Sequence, residues 1–207
     1  RAIDIVKRVQ GTGEKLIEDF MIAANETVAT HISNMDLPFI YRVHDLPNAE
    51  KIEDFCNLIK QLDYQVHTNL NKITPVTMQK LLDEFRDKDE FVILSDMLLR
   101  SMKKAIYSTN NIGHFGLASK NYTHFTSPIR RFPDLTVHRL LRTYLFENRI
   151  DLETINFNAK YLIDVAEHSS ETEVNSIEAE RDVLDMKMAE YMEKHVGEEY
   201  DGIISGV

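Results

Sequence analysis

Two adjacent arginines, Arg130 and Arg131, stand between Pro128 and Pro133, flanked by Tyr122, His124, Phe125 and Phe132. The chain has a net charge of −10, yet residues 100–142 hold Arg100, Lys103, Lys104, Lys120, Arg130, Arg131, Arg139 and Arg142 against a single acid, Asp134. Guanidinium forks bind phosphate and aromatic faces stack on bases, so such an island suits single-stranded nucleic acid. The alternative is a solvated basic surface, which most charge runs are. Position separates the two. Ser127-Pro128 reads as a helix start, a hydroxyl cap followed by proline at the first helical position, and puts Arg130 in the first turn. The helix dipole disfavours a cation there. The placement makes sense if Arg130 and free backbone N–H groups converge on one anion. Otherwise Asp134 or a distant carboxylate must neutralise the arginine.

Other chemistries find less support. Eight histidines are present, but none pair at helical spacing with a ligand-like neighbour, as zinc sites require. His44-Asp45 ends an alternating run and precedes Pro47, so it does not sit on a core helix as the HD pair of metal phosphohydrolases does. The 113–116 loop could bring backbone close to a ligand or be a plain turn. There is no nucleophile–base pair, no glycine-rich phosphate loop and no dense aspartate cluster able to hold two metal ions.

The elements that must position these residues are mostly helical. Residues 14–32 place Leu16, Ile17, Phe20, Met21, Ala24, Val28 and Ile32 on one stripe, predicting a helix. Residues 37–44 alternate as a strand. A helix is expected from Pro47-Asn48 to about Leu62, then a short one over 77–85 and another over 91–107. Pro133 opens a helix over 133–146, and a further helix covers 155–167. Ser170-Glu171-Thr172-Glu173 reads as a capping box for a last helix to Val196. Its apolar positions Val174, Ile177, Leu184, Met188 and Met192 predict a buried face, with Arg181 inside it and Glu180 on its border. A buried guanidinium needs a partner, so Arg181 marks either a structural ion pair or a functional site. The expected fold class is mainly α with two or three β-strands (α+β).

At 207 residues and 43% hydrophobic content, one sizeable core can form. No apolar run is long enough to cross a bilayer. The single cysteine, Cys56, shares a pattern with Ile52, Phe55, Ile59 and Leu62, so it reads as a core residue in a reducing cytoplasm. The chain starts at Arg1 and stops within a strand-like run over 200–207 after Gly197, which suggests a piece of a longer protein.

Several motifs, in order, carry a resemblance. Residues 17–25 read IEDFMIAAN, 41–44 read YRVH, 114–117 read HFGL, 122–142 read YTHFTSPIRRFPDLTVHRLLR, and 179–182 read AERD. Together they resemble the signature of the RNase II/RNase R family (RNB domain), most closely its RNase R branch. The resemblance implies a truncated RNB domain over 1–197 and the first strand of an OB-type barrel over 198–207. It implies a 3′-to-5′ exoribonuclease, processive on single-stranded RNA, which uses magnesium to release nucleoside 5′-monophosphates. Arg130 matches the arginine on the scissile phosphodiester, and Glu180 the second catalytic residue near the terminal nucleotide. Glu18 matches the glutamate that reads ribose 2′-hydroxyls. Arg100, His114, Tyr122, His124 and Arg131 complete the expected RNA-binding set. The family's metal-binding aspartates lie upstream of the matched region, so no metal ligand and no bound Mg2+ is expected in this chain. The expected partners are the 3′ end of single-stranded RNA and RNA-turnover or ribosome-associated proteins, with no membrane, and the parent is expected to be a monomer. A different class of reading is a non-catalytic RNA-binding or interaction module built on the same fold.

Overall fold

Glu14 closes the first turn of the first helix by accepting the Gly11 N–H at 2.8 Å. That helix, α1, spans Thr12–Asn34 in the computed structural model, which describes residues 3–6, 8–64, 73–88 and 90–202. Only its C-terminal half is covered: Asn25, Ala29 and Ile32 are buried, whereas Leu16, Ile17 and Phe20 face solvent. The expected apolar stripe is present, but half of it has no cover among the described residues.

The strand expected over 37–44 forms only as β1, Tyr41–Val43. Pro38 lacks the N–H a ladder needs, and no partner strand extends past Ser108. The partner is β2, Ile106–Ser108, antiparallel in the register Tyr41↔Ser108, Arg42↔Tyr107 and Val43↔Ile106. This corrects the helix expected over 91–107, which ends at Ser101. The β-branched Ile106 and aromatic Tyr107 fit a pleated surface better than a helix, and pairing with β1 captures them.

Between the strands lie three helices: α2 (Ala49–Gln61), α3 (Pro75–Phe85) and α4 (Phe91–Ser101). Asn48 caps α2 by accepting the Lys51 N–H at 3.2 Å, and Thr74 caps α3 by accepting the Thr77 N–H at 3.1 Å. Their apolar faces form a separate core of Ile52, Phe55, Met78, Leu81, Phe85 and Leu98, against which Cys56 packs. Burial raises the Cys56 thiol pKa, which suits packing rather than nucleophilic attack.

Pro133 is tolerated only in a first helical turn, and α5 accordingly spans Phe132–Leu141 with Arg131 as its extended N-cap (φ −125°, ψ 121°). This corrects the helix start expected at Ser127-Pro128. Residues 127–130 form an isolated turn, in which the Arg130 and Arg131 N–H groups donate to the Ser127 carbonyl at 3.3 and 3.2 Å. Arg130 thus sits just before the helix rather than in its first turn. A π-helical turn, Arg142–Phe146, follows α5.

The last helix is a second correction. Instead of two helices split at Ser170, α6 runs unbroken over Leu152–Met192, capped by Asp151, which accepts the Thr154 N–H at 2.9 Å. Ser170 does not cap a helix. Its hydroxyl donates to the Ala166 carbonyl at 2.8 Å and accepts the Tyr107 N–H at 3.0 Å, so it ties β2 to the helix. No glycine or proline interrupts residues 152–192, and hydroxyls can bond back one turn without breaking the helix. Only the first half of α6 enters the main core, with Leu162, Val165 and Ala166 beside Ile32, Val43, Val137 and Tyr144. The face expected to be buried further on is open: Ile177, Leu184, Met188 and Met192 are exposed, and so is Arg181. The buried guanidinium anticipated there does not exist among these contacts. No described helix is long and apolar enough to cross a membrane. The barrel strand anticipated after residue 198 lies, from residue 203 onward, outside the described residues, and 198–202 form no strand.

Candidate nucleic-acid interface

Arg130 and Glu180, fifty positions apart in sequence, line one cavity of about 420 Å3. The turn before α5 supplies Arg130 and Arg131, the start of α5 supplies Phe132 and Pro133, β2 supplies Tyr107, and α6 supplies Glu173 and Glu180. The positive end of the α5 dipole and the Arg130 guanidinium therefore open onto the same space, a combination suited to phosphate. Glu180 faces it with a carboxylate that can accept hydroxyl protons.

The basic island divides into paired and unpaired cations. Arg100 bonds Asp96 at 2.9 Å, Lys103 pairs with Asp45, Arg131 bonds Asp134 at 2.8 Å and Arg142 bonds Glu147 at 2.9 Å. Lys104, Lys120, Arg130 and Arg139 have no ion pair among the described residues. Asp134 thus neutralises Arg131, not Arg130. It is fully buried, and its Oδ1 also accepts the Ser127 N–H at 2.8 Å, so one carboxylate fixes both ends of the Arg130 turn. Its Oδ2, Nε of Arg131 and Oγ1 of Thr126 are buried with no hydrogen-bond partner among the described residues. Groups left in that state cost about 1–3 kcal/mol each, so this turn is held at a local expense of stability.

His114, Tyr122 and His124 meet in a ladder of edge-to-face rings. His114 and Tyr122 have centroids 5.2 Å apart, Tyr122 and His124 5.9 Å, and His124 and Tyr107 5.6 Å. Tyr122 is buried, and its hydroxyl accepts from Asn25 Nδ2 at 3.0 Å, while Asn25 Oδ1 accepts the Phe125 N–H at 2.9 Å. Tyr122 therefore anchors α1 to the arginine segment rather than presenting a free face. Burial, reinforced for His124 by Arg131 and Arg42, lowers the pKa of His124 to about 2; burial, then His44, lowers that of His114 to about 4. Both rings are neutral in the folded protein. An unfolded chain binds these protons near pH ~6.5, so stability is fully present above that value and falls as pH drops towards about 4. Calorimetry is expected to show Tm falling between about pH 7 and 5, and less steeply in His124→Gln; a flat Tm over that window counts against neutral burial.

Of the expected RNA contacts only Arg131 lines this cavity; His114, Tyr122 and His124 belong to the ring ladder, and Glu18 and Arg100 lie on other elements. Glu18 lies on the exposed half of α1, where it accepts from Gln10 Nε2 at 2.6 Å. Arg100 sits on α4, held by Asp96, with its carbonyl accepting from Lys51 Nζ at 3.0 Å. Conversely, Arg42, Tyr107 and Glu173 were not anticipated as site residues. The Arg42 guanidinium lies 4.7 Å from the Tyr107 ring centroid and bonds Glu173 Oε2 at 2.6 Å, joining β1, β2 and α6 at the cavity wall. An arginine within a short apolar strand was the available signal. Its partner lies 131 positions away, beyond the reach of local pattern. Burial raises the Tyr107 pKa to about 12, so its phenol stays protonated and its hydroxyl stays hydrogen-bonded to His124 Nδ1 at 2.8 Å. Among the described residues, no three His, Cys, Asp or Glu side chains are grouped to hold a metal ion.

Known proteins resemble this chain in sequence and fold. The RNB domain model matches residues 1–147. Ribonuclease R 1 of Lactococcus lactis is 47% identical over 99% of this chain, which spans 25% of that protein. The structure of Mycoplasma genitalium RNase R in complex with ribose-methylated single-stranded RNA superposes with a TM-score of 0.89 at 34% identity, covering 97% of this chain and 31% of that one. Yeast Ssd1, described as a pseudonuclease, covers 77% of this chain and 21% of its own, with a TM-score of 0.57 and 27% identity. The chain spans about a quarter to a third of its ribonuclease R relatives, which match nearly all of it, and with the RNB domain matched over 1–147 it belongs to the RNB-domain family.

Proposed function

We propose that this chain carries the phosphate-contacting part of an RNase R-type 3′-to-5′ exoribonuclease, which degrades single-stranded RNA processively to nucleoside 5′-monophosphates. The observation that carries the reading is the convergence of Arg130 and Glu180 on one cavity beside the α5 N-terminus. Arg130, with no ion pair among the described residues, is available to a scissile phosphodiester. Its positive charge stabilises the extra negative charge that develops on the phosphoryl oxygens during attack. Glu180 accepts hydroxyl protons of the terminal nucleotide and holds it in line. The turn held by Asp134 keeps Arg130 in place, which lowers the cost of positioning during the reaction. The family's reaction uses magnesium, and no three metal-ligating side chains are grouped among the described residues. Cytoplasmic location, a monomeric parent and RNA-turnover or ribosome-associated partners belong to the same reading. The Mycoplasma genitalium relative solved with ribose-methylated single-stranded RNA supports single-stranded RNA as the ligand.

The likeness to Ssd1 favours a second reading, an RNA-binding module without turnover. The two separate in one assay: release of mononucleotides from a 3′-labelled single strand by the full-length protein. Sugar selectivity gives a further test. Glu18→Ala in that protein is expected to raise the rate on strands with 2′-deoxy sugars near the 3′ end by about tenfold relative to RNA. A carboxylate that loses its hydroxyl donor is left unpaired by DNA, and removing it removes that penalty. An unchanged RNA-to-DNA rate ratio would show that Glu18 does not read the sugar.

A further inference from the structure

A second cavity, of about 270 Å3, lies behind the wall of the first and shares Glu173 and Ile177 with it. Arg42 and Glu173 form the partition: their 2.6 Å ion pair faces the second cavity, while Tyr107, on which Arg42 stacks, faces the first. The second cavity holds three cations, Arg42, Lys104 and Arg181. Arg42 uses Nη1 for Glu173, and a guanidinium has five N–H donors, so further donors remain. Lys104 and Arg181 have no ion pair among the described residues. The walls between these cations are apolar. Ile106 on β2 and Ile177 on α6 line the cavity and are 48% and 41% exposed, so their side chains are open to a ligand. Glu178 adds a carboxylate, which opposes a phosphate but accepts the hydroxyls of a ribose.

Phosphate-binding cations, an apolar slot for a base and one acceptor for sugar hydroxyls make up the recognition set of a nucleotide. We propose that this cavity is a second nucleotide site, which receives the nucleoside 5′-monophosphate after it leaves the Arg130–Glu180 cavity. The identity of the ligand as reaction product rests on the ribonuclease reading; the site itself rests on the cavity. A phosphomonoester carries up to two negative charges where an internal phosphodiester carries one, so three cations against Glu173 and Glu178 favour the released product over an internal residue of the strand.

The test is an amide NMR titration of the 207-residue chain with 5′-AMP, repeated with the dinucleoside phosphate ApA. AMP is expected to give saturable shifts at Lys104, Ala105, Ile106 and Val174. In Lys104→Ala/Arg181→Ala, two exposed positions whose loss leaves the core intact, affinity is expected to fall by about tenfold or more. ApA is expected to bind about tenfold more weakly than AMP. Shifts confined to residues 130–132, unchanged affinity in the double variant, or ApA binding as tightly as AMP would each overturn the proposal. None of these outcomes touches the effect of Arg130 on turnover, so the product site and the ribonuclease reading fail separately.

Discussion

Arg130→Ala in the full-length protein is expected to lower turnover by about a hundredfold or more while RNA affinity changes by less than about threefold. Arg130 is exposed, has no ion pair among the described residues, and opens onto the Glu180 cavity beside the positive end of α5. An oriented charge of this kind interacts weakly with a ground-state phosphodiester, which water and counterions already solvate. It interacts more strongly with the charge that builds up during attack, and losing one such contact costs about 3 kcal/mol. Arg131 is the internal control. Its side chain is mostly buried on Asp134, so Arg131→Ala leaves a buried carboxylate without its cation and should lower Tm. Steady-state rates, a filter-binding affinity and a melting curve on the two variants distinguish the roles. Equal losses of rate and affinity in Arg130→Ala, or a near-normal rate, would make Arg130 an ordinary surface cation.

What could be read from the sequence, and what could not, follows from the range of the interactions. Asn48 and Pro133 mark helix starts through local chemistry, and α2 and α5 begin within about two residues of them; α3, expected from residue 77, starts at Pro75 behind the Thr74 cap. Ile106-Tyr107-Ser108 sit next to a helical run and are strand only because β1, more than sixty positions earlier, is there to pair with. Ser170 has the local grammar of a helix start, yet its hydroxyl finds the Ala166 carbonyl and the Tyr107 N–H, and the helix continues. Ser127-Pro128 has the same local grammar without the helix: it starts a turn that Asp134 holds, and the helix waits for Pro133. At the site, the arginine pair and Glu180 were legible from charge, motif and resemblance. The Arg42–Tyr107–Glu173 wall was not, because no local pattern links residues on β1, β2 and α6. The apolar face of α6 was legible as a pattern, but its burial was not, since periodicity says which residues share a face and not what covers it.

The 207-residue chain by itself is expected to release no mononucleotides from RNA, with or without magnesium, and to bind single strands weakly. A single oriented cation of the kind proposed for Arg130 supplies about 3 kcal/mol of transition-state stabilisation. Enzymes that cleave phosphate esters lower their barriers by up to about 20 kcal/mol or more, and activation of the attacking water by bound metal carries much of that. The described residues bring no three metal-ligating side chains together, so that larger contribution is expected to be missing from this chain. Binding faces a similar deficit. The net charge is −10, and of the basic island only Lys104, Lys120, Arg130 and Arg139 lack an ion pair among the described residues. About three phosphate contacts on a single strand would give a roughly twentyfold loss of affinity between about 50 and 200 mM salt, through counterion release alone. Fluorescence anisotropy across that salt range, with a gel assay for mononucleotides, measures both expectations. Robust mononucleotide release by the purified chain, free of contaminating nuclease, would overturn them. It would mean that carboxylates such as Asp134, Asp182 and Asp185 gather around a metal ion on binding RNA, in an arrangement quite unlike the one in this structure.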